Sequence, residues 1–399
     1  MRFALATITA TLALCGTAAG STTVSHDGTT TTIAGDAEND DVLVTFAYFG
    51  TGPVSGDGLR VTNGAGVSPG AGCVPEGAGA VICPRGDRVV ANLGEGADQF
   101  RFEDYEDVDI LTTINGQGGT DTLAGSYRGV LDGDAGDDTL RPLGYGSQRM
   151  VGGGGTDTLE LTGYEGYVLV GGGPTTGDEE EYGTRADADV ERLRGGYGED
   201  YFYMGPAAGG GHTIEGGPGY DAVSYDSAAG PVKVVLGGSG TDNVAADVES
   251  VSGSPADDEI VGTAADNFLR GGGGNDRLTG DGGSDSLSGD TGDDAIDAGA
   301  GDDILAGDDG NDRLGGGAGE DRLAGGTGGD VLRGGADKDT VSYLEGDFYY
   351  DEYYVPSPSS SSSAPRTPPG VTVALDDRAN DGTTGEGDDV GSDVELVFG

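Results

Sequence analysis

The chain has 399 residues with a formal net charge of −51, and it combines 83 glycines with no tryptophan. A surface this acidic argues against nucleic acids and anionic membranes as partners and for bound divalent cations. Glycine and proline approach the abundance seen in disordered chains, but the glycines recur in a regular pattern that is not every third residue, which excludes collagen and favours a repeat fold.

Residues 1–20 have the pattern of a secretory signal peptide. Arg2 precedes an apolar run over 3–14, and small residues follow at the end of the segment. The run is too short to span a bilayer as a permanent helix, so no transmembrane segment is expected. We predict cleavage near residue 20 and a secreted, extracellular protein that is either free or attached to the cell surface. Cys15 leaves a lipoprotein as an alternative, although Leu14 stands where a lipobox has a small residue.

Residues 21–106 are predicted to form an N-terminal region of short β-strands, because polar and apolar residues alternate in short runs that glycines separate. Removal of the signal peptide leaves only Cys73 and Cys83. In an exported protein such a pair predicts a disulfide bond. Two free thiols, or a redox or zinc pair, are the alternatives; the sequence offers neither C-x-x-C spacing nor a histidine partner for the latter.

Residues 107–252 are predicted to be a degenerate β-solenoid, in which a glycine-rich turn ending in aspartate recurs at irregular spacing. Most of the spacings are close to the length of two nine-residue units, so one edge of the solenoid keeps its turns while the other varies. The step of 43 residues from Asp157 to Asp200 is interpreted as two coils with a degenerate turn near 171–178. Metal-binding turns and plain glycine turns are both compatible with these copies. The aspartates that end the copies within this region are Asp121, Asp138, Asp157, Asp200 and Asp221.

Residues 253–342 form ten consecutive nine-residue units without a slip. The sixth position is aspartate in every unit except one, where it is Asn267, and the eighth is always Leu, Ile or Val. Positions one to six are predicted to form a turn whose glycines allow positive φ, and the last three a short strand with its apolar residue pointing inward. Because two units make one coil, turns that are two units apart stack directly, and the sixth-position residues form two rows.

The pattern Gly-Gly-x-Gly-x-Asp-x-U-x, where U is a large apolar residue, is clearest in 271–279, 280–288 and 316–324. It resembles the RTX, or haemolysin-type, calcium-binding repeat. The resemblance implies an all-β fold, a parallel β-roll or β-solenoid of nonapeptide repeats preceded by the short-stranded region. It also implies that each Ca²⁺ lies between successive turns and takes sixth-position carboxylates and main-chain carbonyl oxygens from both.

The resemblance assigns the ligands residue by residue. The implied carboxylate ligands of the strict block are Asp258, Asp276, Asp285, Asp294, Asp303, Asp312, Asp321, Asp330 and Asp339. The implied carbonyl donors are the turn glycines Gly272, Gly274, Gly283, Gly292, Gly301, Gly310, Gly319 and Gly328. The five aspartates of the degenerate region are candidate ligands by extension.

The number of calcium ions follows from the stacking. Five turns on each edge leave four gaps per edge, so the two edges together hold at most eight ions. Substitutions in the first two units (Ala256, Ala265 and Asn267) reduce the expected number to six to eight. The block holds 21 Asp and Glu against six Lys and Arg, so like charges oppose compaction without a cation. We therefore expect the block to be disordered without calcium and to fold as it binds the ion.

Residues 343–399 are predicted to be a C-terminal β segment, since 388–399 is similar to 242–253, which precedes the strict block. Residues 345–369 interrupt it with a tyrosine-rich stretch and a Ser/Pro tract. This insertion is interpreted either as a mobile loop or as an exposed aromatic patch for a carbohydrate or protein surface.

Catalytic chemistry is not indicated by any motif. The two histidines, His26 and His212, lie in polar, glycine-rich settings and are predicted to have surface or turn roles, and no metalloprotease, nucleophile-elbow or nucleotide-binding pattern is present. We therefore expect a non-enzymatic, secreted calcium-binding protein with a structural or adhesive role and extracellular polysaccharide as a candidate partner. The alternative is a secreted carbohydrate-active β-helix enzyme with the nonapeptide block as an accessory module. The sequence does not determine the oligomeric state.

Overall fold

The computed structural model describes residues 7–8, 22–49, 56–64, 66–77, 79–103, 110–125, 128–143, 148–163, 165–171, 184–342, 389–391, 394 and 396–398. These residues form β-strands, turns and loops, and no helix occurs among them. The chain consists of two compact units, Met1–Gly198 and Glu199–Gly399. The division falls inside the predicted degenerate solenoid, and the predicted domain limits stay a prediction.

Several predicted features lie outside the described residues. They are the signal peptide apart from Thr7–Ile8, the degenerate turn near 171–178 apart from Gly171, the insertion 345–369 and most of the C-terminal segment 343–399.

The first unit contains nineteen strands in its described part, most of them short because glycine-rich turns separate them. They are β1 (Thr7–Ile8), β2 (Thr22–His26), β3 (Thr30–Ala34), β4 (Asp41–Phe49), β5 (Gly56–Asn63), β6 (Val67–Pro69), β7 (Val74–Pro75), β8 (Ala80–Pro84), β9 (Arg88–Gly96), β10 (Gln99–Glu103), β11 (Leu111–Gly119), β12 (Thr122–Ala124), β13 (Arg128–Ala135), β14 (Thr139–Arg141), β15 (Gln148–Gly154), β16 (Thr158–Glu160), β17 (Glu165–Val170), β18 (Thr184–Ala186) and β19 (Arg192–Arg194).

The pairing of these strands changes along the unit. In the N-terminal part β4, β5, β8 and β7 pair antiparallel in that order, as do β2 and β3. From β9 onward the long strands β9, β11, β13 and β15 form a parallel ladder, and the short strands β10, β12, β14, β16 and β19 form a second one. One coil therefore consists of a long strand, an aspartate turn and a short strand. The number of residues between a short strand and the next long strand differs from coil to coil, which agrees with the irregular spacing in the sequence.

The disulfide partners predicted from the cysteine count lie next to each other in the first unit. The Sγ atoms of Cys73 and Cys83 are 2.13 Å apart. Val74 pairs with Ile82 in the antiparallel β7–β8 ladder, so the two cysteines flank the last residue pair at this end.

The second unit contains eighteen strands in its described part. They are β20 (Glu199–Met204), β21 (Thr213–Glu215), β22 (Ala222–Ser224), β23 (Lys233–Val235), β24 (Asn243–Val244), β25 (Ser250–Ser252), β26 (Glu259–Val261), β27 (Phe268–Gly273), β28 (Arg277–Gly282), β29 (Ser286–Thr291), β30 (Ala295–Ala300), β31 (Ile304–Asp309), β32 (Arg313–Ala318), β33 (Arg322–Thr327), β34 (Val331–Ala336), β35 (Thr340–Ser342), β36 (Asp389–Val390) and β37 (Leu396–Phe398).

Two parallel sheets build the nonapeptide block of the second unit. One runs β25, β27, β29, β31, β33, β35, β37, and the other runs β23, β26, β28, β30, β32, β34, β36. Each residue pairs with the residue two nonapeptide units further along the chain. Leu278, for example, pairs with Ile296, and Ile296 pairs with Leu314. This confirms the predicted coil of two units and the all-β, parallel fold class.

The core consists of the eighth-position side chains, because alternate residues of a strand point to opposite faces and only the eighth position is large and apolar in every unit. All ten of these side chains in the block are at most 3% exposed. They stack on equivalents one coil away, which buries a continuous column that a single unit could not bury alone.

The strands of the block are longer than predicted. Each of β27–β34 has six residues and begins at the seventh position, then continues to the third position of the next unit. The glycine-rich positions pair with their own equivalents one coil away, as Asp281 does with Gly299, so the backbone ladder extends into the segment predicted as a turn.

Candidate metal centre

The sixth-position aspartates of the strict block are buried, and Asp294, Asp303 and Asp312 are completely inaccessible. Each follows a glycine-rich turn and comes immediately before the strand that carries the apolar eighth position, so the fold turns its carboxylate away from solvent. A buried carboxylate is rare unless a hydrogen bond, an opposite charge or a metal compensates it.

One oxygen of each carboxylate is used to join successive coils. The Oδ1 atom accepts the backbone N–H of the sixth-position residue one coil earlier, as Asp294 does from Asp276 at 2.7 Å and Asp312 does from Asp294 at 2.8 Å. The same bond connects Asn267, Asp285, Asp303, Asp321 and Asp339 in the other row. The two predicted rows, each with a register of two units, are therefore confirmed as hydrogen-bonded ladders.

The second oxygen is buried but has no hydrogen-bond partner. This holds for the Oδ2 atoms of Asp276, Asp285, Asp294, Asp303, Asp312 and Asp321. Burial, reinforced by neighbouring aspartates, raises the pKa of Asp276, Asp285 and Asp312 to about 7 and that of Asp321 to about 6. Anionic oxygens held in this way favour a cation that replaces the missing solvation.

The unpartnered oxygen faces a space that the first-position glycine leaves free. A Cβ atom added to Gly271 would overlap Asp276 Oδ2 and would lie 2.9 Å from the carbonyl oxygen of Gly289, in the next coil. The same arrangement recurs at Gly316, where the neighbouring oxygens belong to Asp321 and Gly334. A side-chain oxygen of one turn and a main-chain oxygen of the next therefore converge.

The donor set fits a hard cation such as Ca²⁺, which takes six to eight oxygen ligands from carboxylates and carbonyls. No group of three or more His, Cys, Asp or Glu side chains in the described part of the chain is arranged to hold a metal by itself. Main-chain carbonyl oxygens, which converge with the Oδ2 atoms, are available as further ligands. The implied carbonyl donors among the turn glycines stay a prediction, as do the individual carboxylate assignments.

The turn conformation explains why glycine recurs at the second and fourth positions. Gly272 and Gly274 have φ values of +105° and +106°, a region that side chains disfavour. Four aspartates nevertheless adopt positive φ where these glycines are replaced, and Asp tolerates this region better than most residues. Asp337, which replaces the fourth-position glycine of the last unit, thus keeps the turn. The four are Asp281, Asp290, Asp308 and Asp337.

The first two units differ from the others in their hydrogen bonds. Asp258 accepts the backbone N–H and the hydroxyl of Ser254, and Asn267 accepts the backbone N–H of Thr263 at 2.7 Å. Ser254 and Thr263 occupy the second position, which is glycine or aspartate in the other units. These sixth-position groups are therefore satisfied by their own turns and leave no orphaned oxygen to attract an ion.

The degenerate turns of the first unit have the same geometry as the strict ones. Asp98 donates its N–H to Asp121 at 2.8 Å, and Asp121 and Asp138 continue the ladder to Asp157. The Oδ2 atoms of all four are buried without a hydrogen-bond partner. Burial raises the pKa of Asp98 to about 7 and that of Asp138 and Asp157 to about 6. These turns therefore fit a cation as well as the strict ones do.

The predicted step from Asp157 to Asp200 is wrong. The N–H of Asp157 donates to Glu191 Oε2 at 2.8 Å, so Glu191 takes the next place in that ladder after 34 residues. Asp200 instead donates to Asp221 Oδ1 at 2.9 Å within the second unit. The spacing argument failed because the chain between Asp157 and Glu191 contains two strands of the other sheet, β17 and β18, where the preceding coils contain one.

Besides His212 and Asp242, three members of the ladders were missed by the sequence analysis. Asp40 accepts the N–H of Asp36 and hydrogen bonds from Thr22 and Asn63, and Asp98 accepts the N–H of Asp40 at 2.6 Å. A signal was present, because 35–43 begins with glycine and has aspartate and valine at the sixth and eighth places. The other two, Glu191 and Glu249, each stand two residues before a buried Leu or Val.

Of the two roles predicted for His212, at the surface or in a turn, the structure contradicts the first. The residue is 3% exposed and occupies the sixth-position place before β21. Its backbone N–H and Nδ1 both contact Asp242 Oδ1, at 2.8 and 3.0 Å, while Tyr225 donates its hydroxyl to Asp242 Oδ2 at 2.9 Å. Because both oxygens of Asp242 are occupied, this trio is a satisfied polar network. His26 lies half-buried in β2.

Comparison with protein families identifies the block. Residues 252–287, 279–314 and 315–347 match the family described as RTX calcium-binding nonapeptide repeat (4 copies). A comparison with curated proteins gives no match. In the described part of the chain no helix is long and apolar enough to cross a membrane.

Proposed function

We propose that the chain is a secreted protein whose repeat block folds when it binds Ca²⁺ outside the cell. The chain contains RTX calcium-binding nonapeptide repeats, which form a β-roll. The observation that carries the proposal is the series of buried carboxylate oxygens without a hydrogen-bond partner. Each costs free energy in a metal-free fold, and a divalent ion between two turns compensates two of them at once.

The proposed number of ions is six to eight. Six gaps between stacked turns are bounded on both sides by aspartates of the third to tenth units, and two more involve Asp258 or Asn267. We expect affinities of about 10⁻⁴ to 10⁻³ M, the range of extracellular calcium modules. Export is supported by the signal-like residues 1–20 and by the pairing of Cys73 with Cys83, which suits an oxidising compartment.

The proposed role is structural or adhesive and not catalytic. The described turns place carboxylates in repeated, equivalent positions, whereas an active site needs a few groups in unequal environments. Extracellular polysaccharide is the proposed partner class, because calcium held near the surface of an acidic protein can bridge to anionic sugars. Incubating the full chain with acidic polysaccharides and calcium tests this role; turnover of the polymer would favour the enzyme alternative.

Circular dichroism of the mature chain during a calcium titration tests the folding proposal. We expect the β-signal and the melting temperature to rise with calcium. They should rise far less with magnesium, which demands octahedral geometry and keeps its waters. A β-signal and melting temperature that stay unchanged after chelation would refute the proposal.

A further inference from the structure

Two turns in the described chain have a sequence unlike the glycine turns but occupy the same place in the ladders. They are 189–191 and 247–249, both Asp-Val-Glu, and we call them the D-V-E turns. The central valine is buried in each, and a buried Leu or Val follows two residues after the glutamate, as the eighth position follows the sixth in a nonapeptide unit. The glutamate therefore stands where the sixth-position aspartate stands elsewhere.

Each D-V-E turn holds the preceding coil by three hydrogen bonds. In the second unit the two carboxylate oxygens of Asp247 accept the N–H groups of Gly216 and Gly217, at 3.2 and 3.1 Å. Glu249 Oε2 accepts the N–H of Asp221 at 2.8 Å.

The first unit repeats these contacts with different residues. Asp189 accepts from Gly152 and Gly153 at 3.2 and 3.1 Å, and Glu191 accepts from Asp157 at 2.8 Å. Two independent copies with equal distances indicate a defined turn type and not a chance contact.

The coil that each D-V-E turn closes retains one open oxygen. Asp157 and Asp221 are both completely buried, and neither Oδ2 atom has a hydrogen-bond partner. A Cβ atom on Gly216 would lie 2.5 Å from Asp221 Oδ2 and 2.8 Å from the carbonyl oxygen of Asp247. The carbonyl oxygen of the D-V-E aspartate thus replaces that of the first-position glycine. The Asp247 carboxylate itself is held by the glycine amides.

We propose that each D-V-E turn completes a calcium site outside the strict block. One site uses Asp157, Glu191 and the carbonyl oxygen of Asp189. The other uses Asp221, Glu249 and the carbonyl oxygen of Asp247. The ligand class is a hard divalent cation, because every donor is an oxygen and two of the three carry charge. The inference rests on the proposed function only in taking calcium as the ion.

The second site can be observed separately from the strict block. Tyr220 is the chain neighbour of Asp221, whereas residues 253–342 contain neither tyrosine nor tryptophan. Terbium, a luminescent ion that seeks the same oxygen ligands as calcium, emits on tyrosine excitation only when a tyrosine is close. The part of the tyrosine-excited emission that Tyr220→Phe removes therefore reports on the D-V-E site of the second unit.

The test uses the full mature chain and its variants. We expect Glu249→Gln to lower tyrosine-excited terbium emission and to bind one calcium ion fewer per chain in equilibrium dialysis. The glutamine keeps an oxygen for the Asp221 N–H, and Glu249→Asp, which restores the charge found at the sixth position, should regain part of the emission. Tyr220→Phe should lose emission but keep the ion count. Glu259→Gln, which removes a half-buried carboxylate paired with Lys233 at 2.6 Å, should match the wild type.

The outcomes separate this inference from the proposed function. If Glu249→Gln matches the wild type in emission and ion count while Asp294→Asn binds fewer ions, the D-V-E site is refuted and the calcium-binding block stands. If neither variant changes the ion count, the proposed function fails as well. If Glu249→Asp loses as much emission as Glu249→Gln, the loss reflects the turn's packing, and the ligand role of Glu249 is refuted.

Discussion

Replacing Asp294 by asparagine should have opposite consequences with and without calcium. The substitution removes a charge from a completely buried side chain whose Oδ2 has no hydrogen-bond partner. The amide oxygen can still accept the N–H of Asp276, and the amide nitrogen would stand near the carbonyl oxygen of Gly307. Without calcium the change therefore relieves a buried charge, and burial already raises the pKa of Asp294.

With calcium the same change affects two gaps, because the ions on both sides of the Asp294 turn share its carboxylate in the proposed arrangement. At tenfold excess over Kd each site contributes about 1.4 kcal/mol, so loss of both lowers the free energy of unfolding by about 2.8 kcal/mol. Chemical denaturation in saturating calcium measures the loss of stability, and the β-signal of variant and wild type in a chelator measures the gain.

The matched control is Asp293→Asn. Asp293 is the exposed chain neighbour that accepts the N–H and the side-chain amide of Asn311, at 2.9 and 2.8 Å, and these bonds lower its pKa. It lies outside the sixth-position row, so we expect little dependence on calcium. Equal losses for the two variants, or a loss for Asp294→Asn that persists in the chelator, would refute the reasoning.

Three other predictions follow from the same geometry. Carboxylates with a pKa of about 6 to 7 in the fold and 3.8 when unfolded stabilise the metal-free protein fully below pH 3.8, and this contribution is lost as pH rises through about 7. In a chelator the β-signal should therefore grow as the pH falls from 8 to 5. In calcium titrations over the same pH range, the calcium concentration at half-folding should rise. A calcium midpoint that does not depend on pH would contradict this. Gly274→Ala should lower the free energy of unfolding in calcium by about 1–2 kcal/mol, because the φ of Gly274 is +106° and a Cβ would lie 2.5 Å from the Ala256 carbonyl carbon. Thermal melts measure the loss. Gly282→Ala is the control, because the atom nearest to its Cβ would be 3.5 Å away. Ala298→Gly should tighten calcium binding in a titration. Ala298 is the one first-position residue of the block that is not glycine, so its methyl group stands in the space that glycine leaves free. An unchanged titration would show that the ion does not use this space.

The sequence alone determined the fold of the repeat block. A period of nine with one large apolar residue per unit leaves one way to bury every such side chain, which is to stack coils of two units each. The observed pairing of Leu278, Ile296 and Leu314 has this register. The two rows of sixth-position residues follow from the same count.

Tertiary structure decided which groups are open to an ion. The ladder N–H takes one oxygen of each aspartate, and the local turn decides whether the other finds a donor. Asp276 keeps an open Oδ2, whereas Asp258 Oδ2 accepts the backbone N–H of Ser254.

Tertiary structure also placed Glu191 and Glu249 in the ladders. Asp157 and Glu191 are 34 residues apart and Asp221 and Glu249 are 28 residues apart, so no fixed spacing along the chain identifies the two pairs. A hydrogen-bonded ladder aligns residues by contact with the adjacent coil, and that alignment is independent of how many residues the chain spends in returning to it.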